Sequence, residues 1–233
     1  MADAQELESN IEEVLSTAWN ERDGRVIPEY DDVALDDGAV KLEATFLYAD
    51  LAASSRLCTE FPRLTAARII KAYVYVASEL IRAWSGKIRS FDGDRVMGVF
   101  AGSYMRSSAV ECARRIDWAV EKVIMPLARE KFKSVRDGDF NVRHGIGIDC
   151  SMMHVVRGGV HGNNDLIWVG RAPCLAAKLS NIREYPYTVF ISNAVHNRMD
   201  TALKGDPALW EKRGFNFAGN QETVYRTKFY TTP

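Results

Sequence analysis

The 233-residue chain is poor in several features that would sort it at once. Cysteine is scarce: Cys58, Cys112, Cys150 and Cys174 are widely spaced, with no C-x-x-C pair and no metal-ligand pattern. That spacing excludes a zinc ribbon or a disulfide framework and leads us to expect reduced, mostly buried thiols. Neither sign of charge is in excess, with 30 Lys and Arg against 31 Asp and Glu and a formal net charge of −1. Bulk charge therefore does not advertise nucleic-acid or membrane-surface binding. No uncharged apolar run approaches the roughly 20 residues of a membrane span, and Met1-Ala-Asp-Ala-Gln-Glu-Leu-Glu lacks the blocks of a signal peptide. A cytoplasmic protein is expected. His144, His154, His161 and His196 have no zinc spacing, and neither a Gly-x-x-x-x-Gly-Lys loop nor a Ser/His/Asp nucleophile motif occurs.

What is present is an ordinary globular composition, 47% apolar, in a chain long enough for one large α/β domain. Leu7, Ile11, Val14, Leu15 and Ala18 predict a short amphipathic helix over Glu6–Trp19. An acidic stretch with Glu29, Asp31, Asp32, Asp36 and Asp37 follows and reads as a solvated connecting arm. We therefore expect residues 1–38 to form an extension and 39–233 the main domain. Apolar spacing predicts helices over Thr65–Ala83 and Met105–Phe132, with Pro126 kinking the second. A hairpin is predicted over Lys87–Ala101, and another pairing Phe140–Asp149 with Met152–Val160. Further strands are predicted at Leu166–Val169 and Tyr187–Ser192, helices at Pro173–Ile182 and Asn193–Leu203, and a closing pair at Lys212–Phe217 and Thr223–Tyr230. Helices alternating with strands predict an α/β sandwich.

Two carboxylates stand out. Val40 onward reads as a strand ending in Tyr48-Ala49-Asp50, followed by Leu51-Ala-Ala-Ser-Ser, which suits a helix start with Ser54 or Ser55 as its cap. A strand-end Asp beside free helix N–H groups suits a magnesium-bound phosphate. Asp94 follows the turn-forming Asp92-Gly93, so it lies at or beside a hairpin tip. If that hairpin pairs with the first strand, Asp50 and Asp94 meet.

These two segments, followed in order by Arg143-His144-Gly145-Ile146 and by Trp168-Val169-Gly170 leading into Leu175-Ala176-Ala177-Lys178-Leu179, resemble the class III nucleotidyl cyclases. The resemblance spans residues 40–199, and within the class it is nearest to the stand-alone pyrimidine cyclases of bacterial Pycsar antiphage systems. It implies a ferredoxin-like core sheet with helices, and two divalent ions, Mg²⁺ or Mn²⁺, held by Asp50, Asp94 and the backbone carbonyl of Leu51. It also implies a head-to-tail homodimer in which Lys178 of the second copy completes each site. The cyclic product would be sensed by a separate effector protein.

The departures from the family pattern carry information. Lys178 stands where the family has the arginine that stabilises the pentacovalent phosphate, keeping the charge without the bidentate fork. Cys174 replaces the ribose-positioning Asn and cannot match its hydrogen bonds. Ser90 and Ile167 occupy the two base-selecting positions and match neither purine code. Asp165 would substitute for Ile167 only with a backbone shift, since two residues along a strand are roughly 6.5 Å apart. Tyr48 narrows the pocket and adds a hydroxyl. These residues point to UTP cyclised to 3′,5′-cyclic UMP, with CTP as the alternative. A non-catalytic nucleotide-binding module and a polymerase-like palm domain are the readings from other classes.

Overall fold

The computed structural model describes residues 3–232. Helix α1 (Ala4–Ser16) leads through β1 (Asn20–Asp23) to β2 (Gly38–Ala52), α2 (Ser54–Glu60) and α3 (Arg63–Ala83). The hairpin β3 (Lys87–Asp92) and β4 (Arg95–Phe100) precedes α4 (Met105–Ala119), α5 (Met125–Lys131) and α6 (Lys133–Arg136). Then come β5 (Arg143–Val160), β6 (Asn163–Val169), α7 (Arg171–Ser180), β7 (Val189–Ser192), α8 (Asn193–Arg198) and the hairpin of β8 (Glu211–Phe217) and β9 (Asn220–Thr227).

Among the described residues these strands form one sheet, ordered β3-β4-β2-β5-β7-β9-β8, with β1 on β2 and β6 on β5. The mixed α/β architecture is as expected. Strand β2 is central and buried along nearly its whole length, which explains why its sequence is a continuous apolar run. Alternation divides its side chains between two layers. Leu47, Ala49 and Leu51 join Ile69, Tyr73 and Ile81 of α3 and Ala109, Ala113 and Ile116 of α4. Val40, Leu42, Ala44 and Phe46 face Ala172 and Ala176 of α7. Helix α7 lies so close to β5 that a side chain at Gly147 would collide with the Ala176 carbonyl and sit 2.5 Å from the Ser180 amide.

Several expectations need correction. Residues 143–160 form one strand rather than a hairpin, because β2 pairs with it from Arg143 to Val156 without interruption; its turn comes at 161–162, before β6. Pro126 does not break its helix: a wider π-helical turn, Val120–Ile124, precedes it and places it at the start of α5, where its missing N–H costs nothing. Neither Ser54 nor Ser55 caps α2. Ala53 takes that position with φ 57° and makes no side-chain capping bond, and α2 has only seven residues. Of the four thiols, Cys58 and Cys174 are exposed and only Cys112 and Cys150 are buried.

The acidic arm is not simply solvated. Residues 20–23 add a parallel strand to β2, and Ile27 and Val33 are buried in the α7-side core. Glu29 accepts from Lys87 Nζ at 2.6 Å and takes both Nη atoms of Arg89 at 2.7 and 2.9 Å. Its own amide donates to Asp32 at 2.8 Å. The two cations, Arg89 foremost, hold the Glu29 carboxyl down at about 2. A carboxyl depressed from an ordinary 4.5 stabilises the folded chain above that value, and the benefit is lost as pH falls toward about 2. Because the Glu29 side chain is 55% exposed, solvent screening keeps the contribution small. Glu29→Gln is expected to lower unfolding free energy by about 1 kcal/mol at neutral pH. Urea titrations should show this difference shrinking in about 0.5 M salt and vanishing in acid.

Candidate active site

The β2 register builds the site. Asp50 lies opposite Arg95 on β4 and opposite Gly145 on β5. Strands β3 and β4 are joined by Gly93 and Asp94, with Gly93 at φ +61°, a conformation that glycine adopts without strain. Asp94 therefore sits one residue from the position directly across the ladder from Asp50, which puts the two acids at the same end of neighbouring strands. Tyr73, fully buried on α3, senses both: burial and then the charge of Asp50, with Asp94 adding to it, push its phenol well above the usual range.

Asp50 is only 7% exposed and both its oxygens are taken. Arg95 Nε donates to Oδ1 at 3.2 Å, and Arg183 Nη2 donates to Oδ2. Arg95 also donates to Asn181 Oδ1 at 2.6 Å. By contrast, Asp94 Oδ2 is buried with no hydrogen-bond partner, the kind of oxygen that a cation satisfies. Among the described residues no cluster of three or more His, Cys, Asp or Glu is placed to hold a metal. Two carboxylates without a third side-chain ligand fit a hard cation that shares its remaining positions with backbone carbonyl, water and phosphate, as magnesium does. Leu51 is buried and in register with His144.

A second group assembles around a cavity of about 450 Å³. Tyr48, Ser90, Ile167 and Cys174, the four residues singled out for substrate recognition beside Ser54, all line it. Asp165 lines it as well, so no backbone slip is needed: Asp165 and Ile167 share one face of β6, and the cavity spans both. Arg89 and Met97 line it too. Tyr48 Oη donates to Met97 Sδ at 2.8 Å, a weak acceptor that a base carbonyl would outcompete, and burial raises its phenol pKa. Lys178 is exposed one turn after Cys174 on α7, and among the described residues it forms no ion pair. None of the residues that hold Asp50 lines this cavity. Ser54 is half-buried at the start of α2, apart from it.

A second cavity, of about 490 Å³, opens at the β2–α2 junction and is lined by Ala52, Ala53, Arg56, Arg143, His144 and Arg183 among others. Sequence reasoning missed Arg95 and Arg183 as partners of Asp50. Arg95 was visible as the residue after Asp94, but Arg183 lies outside every recognised segment. Arg171 is occupied structurally, on buried Asp149 at 2.8 Å and Glu222 at 2.9 Å. His144 is likewise structural: its side chain is fully buried and its Nε2 lies 2.9 Å from Asp117 Oδ1. Tyr73 packs edge-on against that ring at 5.9 Å.

No protein-family model matches the chain. It is 41% identical over 232 residues to a uridylate cyclase of Rhodovulum sp. (strain MB263), covering 98% of this chain and 97% of that one. A uridylate cyclase of Xanthomonas perforans is 34% identical over 227 residues, covering 96% of each chain. The crystal structure of the guanylyl cyclase Cya2 matches with a TM-score of 0.69 at 16% identity, over 83% of this chain and 95% of that one, a likeness of fold alone.

Asp117→Ala would leave a buried imidazole nitrogen unpaired behind the carboxylates. We expect a loss of about 1–3 kcal/mol in unfolding free energy by urea titration.

Proposed function

Since the chain belongs to the uridylate cyclase family and is therefore a nucleotidyl cyclase, we propose that it converts UTP to 3′,5′-cyclic UMP and pyrophosphate. The observation that carries this reading is the convergence of Tyr48, Ser90, Asp165, Ile167 and Cys174 on one cavity without either purine-selecting pair. Uracil presents two carbonyl acceptors and one N–H donor. The hydroxyls of Tyr48 and Ser90 match the former and the Asp165 carboxylate the latter.

In this reading residues 39–233 are the catalytic domain, working in the cytoplasm. Asp50, Asp94 and the Leu51 carbonyl would hold two divalent ions, Mg²⁺ or Mn²⁺. When bound, these ions would lower the pKa of the ribose 3′-hydroxyl and neutralise the polyphosphate. The O3′–Pα bond forms as the bond from Pα to the bridging oxygen of the β-phosphate breaks. The hydroxyl proton passes to solvent, and pyrophosphate departs. Tyr48, Ser90 and Asp165 orient the base, and Ser54 stands near the triphosphate end. Lys178 supplies positive charge to the equatorial oxygens as the phosphorane develops, a contribution worth roughly 10²–10³ in rate for a well-placed donor. The resemblance to class III cyclases supports a homodimer whose sites draw on both copies, Lys178 of one facing Asp50 and Asp94 of the other. The resemblance to Pycsar cyclases supports a role for the cyclic nucleotide as an antiphage signal, read by a separate effector.

Incubation with each of the four NTPs and Mn²⁺ tests the substrate. Cyclic UMP should dominate; a cyclic product from ATP or GTP alone overturns the pyrimidine assignment, a preference for CTP shifts it to cytidylate, and no product from any NTP favours a binding module. Mixing tests the composite site. Asp50→Asn and Lys178→Ala should each lose at least about 10²-fold in kcat. Co-refolded together they should regain roughly a quarter of wild-type activity, because half of the random pairs are mixed and each mixed dimer holds one intact site. No recovery would place both groups in a single chain's site.

A further inference from the structure

The contact on Asp50 that the reaction does not use is the Arg183 guanidinium. Arg183 follows α7 and is 133 residues from Asp50 in sequence, yet its Nη2 reaches Oδ2. Gly145, the residue opposite Asp50, makes the crossing possible: a side-chain carbon there would lie 2.5 Å from Arg183 Nη1. The same Nη1 donates to the carbonyls of Ser180 at 2.5 Å and Ile182 at 3.2 Å. With Arg95 on the other oxygen, a single carboxylate faces two guanidinium groups. With Asp94 next in the chain to Arg95, two acids and two guanidinium groups balance, so no net negative charge is left where a divalent ion has to bind.

Arg183 also lines the cavity at the β2–α2 junction, and its side chain is 37% exposed there. Of the other two arginines of that cavity, only Arg56 is held by acids. Arg56 pairs with Glu60 at 2.7 Å and Asp139 at 2.5 Å, and Arg143 stacks 4.0 Å over the Tyr185 ring. Of the acids on the rim, Asp139 is held by Arg56, and Glu184 by Arg213 and Arg226. Among the described residues, Arg183 alone both lines this cavity and bonds Asp50.

We propose that Arg183 is a triphosphate ligand with two positions: it rests on Asp50, and it moves to the phosphates in the adjoining cavity when nucleotide binds, clearing Asp50 for the cation. The nucleotide half of this inference rests on the UTP reading above, and the metal half does not. At rest, the two guanidiniums repel a divalent ion and compete for its oxygen. A bound triphosphate, with about four negative charges, makes the local field negative and offers Arg183 better acceptors than one carboxylate. Metal and nucleotide then tighten each other's binding by the same factor, as linkage requires.

The test measures Mn²⁺ affinity by electron paramagnetic resonance on the full chain, without nucleotide, and then the affinity for 2′,3′-dideoxy-UTP, which cannot cyclise, with Mn²⁺ present. Arg183→Gln should bind Mn²⁺ alone about tenfold more tightly and the dideoxynucleotide about tenfold more weakly, within the usual range of coupling. Arg56→Gln should leave Mn²⁺ affinity unchanged. Unchanged or weaker Mn²⁺ binding in Arg183→Gln overturns the proposal. Should the loss of the Ser180 and Ile182 contacts unfold that variant, Arg95→Gln removes the other guanidinium while leaving those contacts in place. It must tighten Mn²⁺ binding likewise, and failure to do so is equally fatal. If wild type does not bind dideoxy-UTP, the UTP reading fails, and the Mn²⁺ measurement still decides the resting contact.

Discussion

The site depends on one constraint, the register in which β2 pairs with β4 on one side and β5 on the other. With Asp50 opposite both Arg95 and Gly145, the two-residue turn that follows β3 must deliver Asp94 beside it. A slip of one residue would turn Asp50 toward the α3 and α4 layer and separate the acids. The register is strongly specified because β2 is buried on both faces: Phe46 and Leu42 pack toward α7, while Leu47 and Leu51 pack toward α3. The packing of a hydrophobic strand thus positions a charged pair that by itself opposes folding, since a buried carboxylate costs free energy unless it is paired. Arg95 and Arg183 supply that pairing. They solve a stability problem and in doing so occupy the oxygens that chemistry needs.

How much of this was legible in the sequence follows from the reach of each signal. The central strand, the Gly93–Asp94 turn and the α7 segment were readable because their information is local: an apolar run, a turn dipeptide, an ordered set of short motifs. Convergence of Tyr48, Ser90, Ile167 and Cys174 on one cavity was also foreseen, through positions in those motifs. What escaped was non-local. Arg183 meets Asp50 only because α7 crosses β5 over Gly145 and Gly147, and nothing near residue 183 announces that crossing. Strand β1 was invisible for a different reason. Asn20-Glu-Arg-Asp is polar and exposed throughout, and its place in the sheet comes from backbone pairing at an edge, where charged side chains are ordinary. The break wrongly placed after Asp149 came from reading local composition in a strand whose continuity is imposed by its long partner.

The extension and the base-side cavity are connected through a defect in the sheet. The β3–β4 ladder slips between Ile88 and Ser90, leaving Arg89 as an extra residue. In a regular strand, Arg89 and Ser90 would point to opposite faces. The bulge turns both toward the cavity that Tyr48 lines, as bulges beside active sites commonly do. A bulge weakens its ladder and requires support from elsewhere. Glu29 provides it, gripping Arg89 with both oxygens and drawing in Lys87 from the same strand. The acidic arm therefore acts as an external brace on the hairpin that ends in Asp94. This places the arm's ion pairs and the two carboxylates at opposite ends of one short strand. Loosening the grip of Glu29 would be felt first at Ser90, where the base is read, and only then at the turn that carries Asp94.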